Sequence, residues 1–112
     1  MIVFSLQIIA PDERRTILLR TLVGMLGPTR VAPGCLEARL YSDLDRRQTL
    51  LLIEDWDSLE QFERNLDGAK LNVIVAAIEL SSEAPVVRVD TVERREGMDG
   101  LTPYRGITAG VQ

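Results

Sequence analysis

Apolar side chains recur at every second position at the start of the chain, at Ile2, Phe4, Leu6 and Ile8. This short, β-branched-rich run, IVFSLQII, stops at Ala10-Pro11 and predicts a strand. Pro11 suits the first turn of a helix, where a missing N–H costs nothing, and Asp12 and Glu13 suit the positive end of its dipole. Ile17, Leu18, Leu22, Val23, Met25 and Leu26 then follow at near-helical spacing, and Gly27-Pro28 has the form of a helix end. After the loop PTRVAPG, the segment CLEARLYS alternates Leu36, Ala38 and Leu40 with Cys35, Glu37, Arg39 and Tyr41, which is a strand by period. The polar stretch Asp43 to Gln48 predicts a turn, and TLLLIEDW the returning strand of a hairpin. Asp57 or Ser58 caps the next helix, Ser58 and Gln61 having the capping-box spacing. Its apolar stripe is Leu59, Phe62 and Leu66. Asp67-Gly68 interrupts, and Leu71, Ile74, Val75 and Ile78 continue a helical stripe to about Leu80. SSEAP reads as a loop and VVRVDTVER as a last strand.

The order β-α-β-β-α-β is the ferredoxin-like arrangement, an α+β fold with an antiparallel sheet and its helices on one face. It fills residues 1–96, and the Gly-rich segment 97–112 reads as a tail or an arm laid over another surface. An open sheet of this kind exposes one face to water, so its strands should alternate strictly. Here Val3 and Ile9 join Ser5 and Gln7 on the second face of the first strand, and Leu50, Leu51, Leu52 and Ile53 run without a polar break. Two helices cannot cover both faces. The economical cover is a second copy, packed sheet to sheet by twofold symmetry into a dimeric α+β barrel. At about 25 cal/mol per Å2, covering roughly 700 Å2 per subunit favours association by upwards of about 10 kcal/mol before docking costs. The alternative is that Ser5, Gln7, Glu37, Arg39 and Tyr41 make the second face polar enough for water.

With 112 residues, 46% apolar and 27% charged, the chain fits one ordered domain with a core of its own. A net charge of −4 and scattered arginine pairs disfavour nucleic-acid binding. No run reaches the roughly 20 apolar residues that cross a bilayer, and the start lacks the positive segment and cleavage site of a secretory signal. A soluble, cytoplasmic protein is expected, with no membrane partner. The single cysteine, Cys35, allows no intrachain disulfide. The absence of histidine excludes a His-based zinc site, a His-ligated haem and a Ser–His–Asp triad. No clustered cysteines or Gly-rich phosphate loop point to a metal, flavin or nicotinamide, so no cofactor is expected.

PGCLEARLYSD, Pro33 to Asp43, followed by LLLIEDWDSLEQFERNL, Leu50 to Leu66, resembles the antibiotic biosynthesis monooxygenase family of dimeric α+β barrels. Members open the first hairpin strand with a Pro-Gly-Cys-like turn, end the next with Glu-x-Trp, and begin a helix with Ser-x-Glu-x-Phe. The likeness covers about residues 1–92. It implies a pocket in each subunit between sheet and helices, with the partner's sheet closing the barrel. The family's activities differ: cofactor-free oxygenation of quinols and polyketide anthrones, haem degradation, and processing of signalling molecules. This chain departs from the pattern in the helix after the tryptophan, where Asn65 stands in place of a common histidine. Ser5 and Gln7 stand where the haem-degrading branch needs an asparagine, which speaks against that branch.

Several residues could carry chemistry. Trp56, two after Glu54 and on the same strand face, is either a pocket wall that stacks on a planar substrate or a core aromatic. Glu54 is either a general base whose pKa burial raises or half of a salt bridge with an arginine such as Arg39. Asn65 either hydrogen-bonds a substrate carbonyl or enolate, as amide donors do in oxyanion sites, or faces solvent. Tyr41 either donates its phenol to a substrate oxygen or packs at a sheet rim, and Phe62 joins Trp56 and Tyr41 as a substrate-contacting candidate. Cys35 reads as a small buried hydrophobe. The resulting expectation is a cofactor-independent monooxygenase of a small quinol- or anthrone-like substrate, with Glu54 and Asn65 catalytic. The rival is a non-catalytic dimeric module that binds a small apolar or aromatic ligand or merely assembles. An isomerase of a small carbonyl compound needs the same cavity.

Overall fold

The computed structural model describes residues 1–104. Its strands are β1 (Ile2–Ile9), β2 (Cys35–Ser42), β3 (Thr49–Trp56) and β4 (Val86–Thr91), and its helices α1 (Asp12–Arg30), α2 (Leu59–Asn65) and α3 (Gly68–Leu80). A short 3-10 turn, Met98–Gly100, follows, and the rest of the expected tail, from residue 105, lies outside the described residues. The strands form one antiparallel sheet in the order β2-β3-β1-β4, the ferredoxin-like topology.

Alternation sorts the sheet into two faces. Ile2, Phe4, Leu6 and Ile8 of β1 lie opposite Trp56, Glu54, Leu52 and Leu50 of β3, and all eight are buried beneath the helices. Ala38 and Leu40 extend this face across β2. Leu18, Leu22, Met25 and Leu26 of α1 and Ile74 and Ala77 of α3 close the core from above. The other face carries half-buried Val3, Ser5, Gln7, Leu51 and Ile53. Thus the unbroken apolar run of β3 is divided, Leu50 and Leu52 inward, Leu51 and Ile53 outward.

Local chemistry fixes the element ends. Ser58 Oγ accepts from the Gln61 amide and caps α2. Gly68, with φ +52°, separates α2 from α3 in a conformation that L side chains rarely adopt. Ser81 and Ser82, just past α3, bond the Ile9 amide and carbonyl and tie that helix end to β1.

Two details differ from the sequence pattern. Helix α1 does not stop at Gly27-Pro28 but runs to Arg30. Gly27 stays helical, Pro28 removes one hydrogen bond only a residue or two before the natural end, and burying Thr29 holds the last turn against the core. The left-handed glycine in this region is Gly34, φ +86°, whose carbonyl accepts from the Asp57 amide and joins the start of β2 to the end of β3. On α3 the buried stripe is Ile74 and Ala77, whereas Leu71 and Val75 are exposed, so the helix is rotated from the orientation that apolar spacing suggests.

Candidate functional site

Position 54 faces inward because β3 alternates, and this puts a carboxylate in the core between Phe4 and Ala38. Only 1% of Glu54 is exposed. A buried carboxylate is tolerated when it is paired and hydrogen-bonded, and Glu54 is both. Its Oε1 accepts from Lys70 Nζ at 2.8 Å and from the indole N–H of Trp56 at 3.1 Å. Lys70 also donates to Asn65 Oδ1 and lies 5.3 Å from the centroid of the Trp56 ring, within cation–π range. Three side chains from β3 and α2, Glu54, Trp56 and Asn65, thus meet at the ammonium of Lys70 on α3.

Lys70 also lines a cleft. A cavity of about 250 Å3 opens between α1 and the α2–α3 junction, walled by Met25, Pro28, Ala69 and Val73, with Thr29, Asn65 and Lys70 as its polar members. Gly24 and Ala69 leave the space that larger residues would fill. Asn65 also borders a second recess of about 180 Å3, beside Ala32, Pro33, Gln61 and Arg64. An ammonium has three donors. Among the described residues Glu54 and Asn65 engage two of them. Because Asn65 offers its oxygen to Lys70, its amide N–H groups are left to serve another acceptor.

The sequence candidates separate into two groups. Glu54 and Asn65 converge, but through Lys70 rather than directly. Trp56 has no exposed surface and lines neither recess; it lies behind Lys70 and packs on Phe62, ring centroids 6.3 Å apart, and Phe62 in turn on Phe4 at 5.4 Å. Tyr41 projects from the opposite face of the sheet, half-exposed, and stands apart from this cluster. Arg39 is not the partner of Glu54. Alternation on β2 turns it to that same opposite face, where it pairs with Glu37. Cys35, beside Trp56 in the register, is half-buried; burial pushes its thiol pKa up, and the nearby Glu54 carboxylate adds to the effect. That is the reverse of what a thiolate nucleophile needs.

Lys70 is the residue that sequence reasoning missed. The apolar spacing of Leu71, Ile74, Val75 and Ile78 hid it, because the structure turns Ile74 inward and Leu71 and Val75 outward, which brings Lys70, four residues before Ile74, toward the core. A lysine there requires an acidic partner in the core.

The open face of the sheet carries its own charges. Glu37 pairs with Arg39, Arg88 with Asp90 at 3.6 Å, and Asp55 with Arg95 at 2.7 Å. The Asp55 contact raises the Arg95 pKa, and Arg95 reaches it from the segment after β4.

The family model for antibiotic biosynthesis monooxygenases matches residues 1–76. No curated protein matches the chain. Among solved structures, a candidate antibiotic biosynthesis monooxygenase from Deinococcus radiodurans is similar at 20% identity and a TM-score of 0.77, over 87% of this chain and 97% of that one. Rv0793 from Mycobacterium tuberculosis is similar at 23% identity and 0.76, over 86% and 98%. At these identities the likeness is one of fold.

Proposed function

The chain belongs to the antibiotic biosynthesis monooxygenase family, and from that premise we propose that it is a cofactor-independent monooxygenase of a small aromatic substrate of the quinol or anthrone class. The observation that carries the reading is the buried Lys70–Glu54 pair at the base of an apolar cleft, with Asn65 at its side. An electron-rich phenol or enol enters with its ring against Met25 and Val73 and its oxygen at Lys70. Its proton passes to Nζ as Nζ passes one of its own to Glu54. The carboxylate ends neutral, the ammonium remains, and the substrate anion lies beside it. The charges of the site sum to zero before and after, so no net charge is ever buried. In this scheme Glu54 is the base although it does not line the cleft, and Asn65 donates to the anion or to a neighbouring carbonyl.

The substrate is its own reductant. Its anion gives one electron to dioxygen, the radical pair joins through a new C–O bond, and protonation yields a hydroperoxide. For an anthrone methylene, loss of water then leaves a carbonyl, with one oxygen atom in the product and one in water. Oxygen uptake with anthrones and hydroquinones tests the reading. One O2 consumed per anthrone is expected, with the rate reduced by about 100-fold or more in Lys70→Met, the usual contribution of a positioned acid–base group. A rate indifferent to that substitution, and to Asn65→Ala, sinks it. The complete burial of Glu54 favours a second reading, in which the cleft binds an aromatic ligand without turnover; saturable binding with no oxygen uptake identifies that case.

We also propose that the open face of the sheet is covered by a second copy of the chain. Each charged side chain that the sheet places there has an opposite partner in the same chain, Arg39–Glu37, Arg88–Asp90 and Arg95–Asp55. Such a face can be covered without stranding a charge, and Val3, Leu51, Ile53 and Val86 supply its apolar contact area. A sheet mated to its own copy suits that neutrality better than a strongly charged partner does.

A further inference from the structure

We propose that this site also catalyses a reaction that uses no oxygen: reversible removal of a proton from the carbon next to a carbonyl, in an apolar ketone whose C–H is acidified by an adjacent ring. The inference rests on the same cleft as the monooxygenase reading, but on one property of it alone. The Lys70–Glu54 pair is two groups joined by a 2.8 Å hydrogen bond, a distance that one proton can cross. With that proton on Glu54 the Nζ lone pair is a base, and it belongs to the residue that lines the cleft.

The step balances without a co-reactant. The C–H bond of the ketone breaks and its electron pair moves onto the carbonyl oxygen, which becomes an enolate. The proton forms an N–H bond on Lys70, and Glu54 holds the proton that Lys70 gave up. The site then contains an ammonium, an enolate and a neutral acid, again with no net charge. The resulting ammonium and the Asn65 amide are the donors for the enolate oxygen, in a cleft whose remaining walls are apolar. Running the step backwards returns a proton to carbon, or a deuteron if the site has exchanged with heavy water. A cavity of about 250 Å3 is at the small end of ligand pockets, so a compact two-ring ketone is the probe chosen for it. Thr29, buried to 2% exposure at the cleft edge, adds a hydroxyl but no charge, so Lys70 is the cation that a developing enolate meets there.

The test is deuterium exchange into 2-tetralone in buffered heavy water under strict exclusion of oxygen, followed through the proton resonance of the methylene between ring and carbonyl. The protein is expected to accelerate exchange by about 100-fold over buffer with an equal concentration of free lysine, and the acceleration is expected to vanish in Lys70→Met. Should that single variant fail to fold, the Lys70→Met/Glu54→Gln double variant, which leaves no lone charge in the core, gives the same readout. Exchange at the buffer rate, or exchange unchanged by these substitutions, overturns the proposal. Exchange without any oxygen uptake from anthrones or hydroquinones removes the monooxygenase reading and leaves this one standing; oxygen uptake with no exchange does the opposite.

Discussion

Replacing Lys70 with methionine isolates the cost of the buried pair. Lys70 has 11% of its side chain exposed and Glu54 1%, with 2.8 Å between the charged atoms. At an effective dielectric of about 20 the attraction between them is roughly 6 kcal/mol, much of which offsets the desolvation of both groups. Methionine removes the attraction and leaves the carboxylate where it is, still desolvated. Breaking a buried pair from one side costs about 3–5 kcal/mol. With a urea slope of about 1.5 kcal/mol per molar, the unfolding midpoint should fall by about 2–3 M. Adding Glu54→Gln keeps an oxygen to accept from the Trp56 indole and removes the lone charge. The double variant should therefore recover to within about 1 kcal/mol of the wild type, because a matched apolar or neutral replacement of a buried pair is often close to neutral. Urea titrations followed by far-ultraviolet circular dichroism measure all three proteins on one scale. A single variant within about 1 kcal/mol of the wild type, or a double variant no more stable than the single, would falsify the description of Lys70–Glu54 as a mutually dependent core pair.

Three further outcomes are expected. Ser58→Ala removes the oxygen that accepts from the Gln61 amide and should cost about 1 kcal/mol in the same titration; no measurable loss would mean that the cap contributes nothing. Alkylation of Cys35 by iodoacetamide should be slow at neutral pH and keep accelerating beyond the roughly 8.5 at which an ordinary thiol is half ionised, since burial holds the proton on; a rate that levels below that pH contradicts the assignment. Ile53→Lys places a charge in the middle of the open sheet face and should convert a sedimenting dimer into a monomer with unchanged circular dichroism; wild-type protein that sediments as a 12.5 kDa species at micromolar concentration refutes the covered-face proposal outright.

Much of the architecture was written in the order of apolar positions. The strand limits at Ile2–Ile9, Cys35–Ser42 and Thr49–Trp56 follow from alternation bounded by proline, glycine and polar turns, and the cap at Ser58 from its spacing to Gln61. Helix α1 overran its expected stop because a proline near a helix end costs one bond, and burial of Thr29 outweighs it. The site was legible only in half. Glu54 and Asn65 were visible as polar residues in suspect places, but their meeting point is a lysine from a helix whose rotation the apolar spacing misjudged. Pairing Glu54 with Arg39 ignored the alternation of β2, which turns Arg39 away. Trp56 looked like a wall of the cleft because aromatic residues bind planar ligands; in the fold its ring and its N–H are both taken up inside the core.

The start of β1 and the end of β4 are tied together. The Met1 ammonium donates to the Val92 carbonyl at 3.3 Å, and the Val92 amide donates back to the Met1 carbonyl at 2.8 Å. Strand β1, the first of the four in chain order, is an inner strand whose second neighbour, β4, is the last of them. Until β4 emerges, the nascent chain carries β1 with one flank of unpaired amides and carbonyls, beside a greasy surface awaiting its helices. Non-local pairings of this kind are slow to form and invite adhesion between chains in the interval. Translation of this protein thus has a vulnerable window that closes only when Val86–Thr91 zips on.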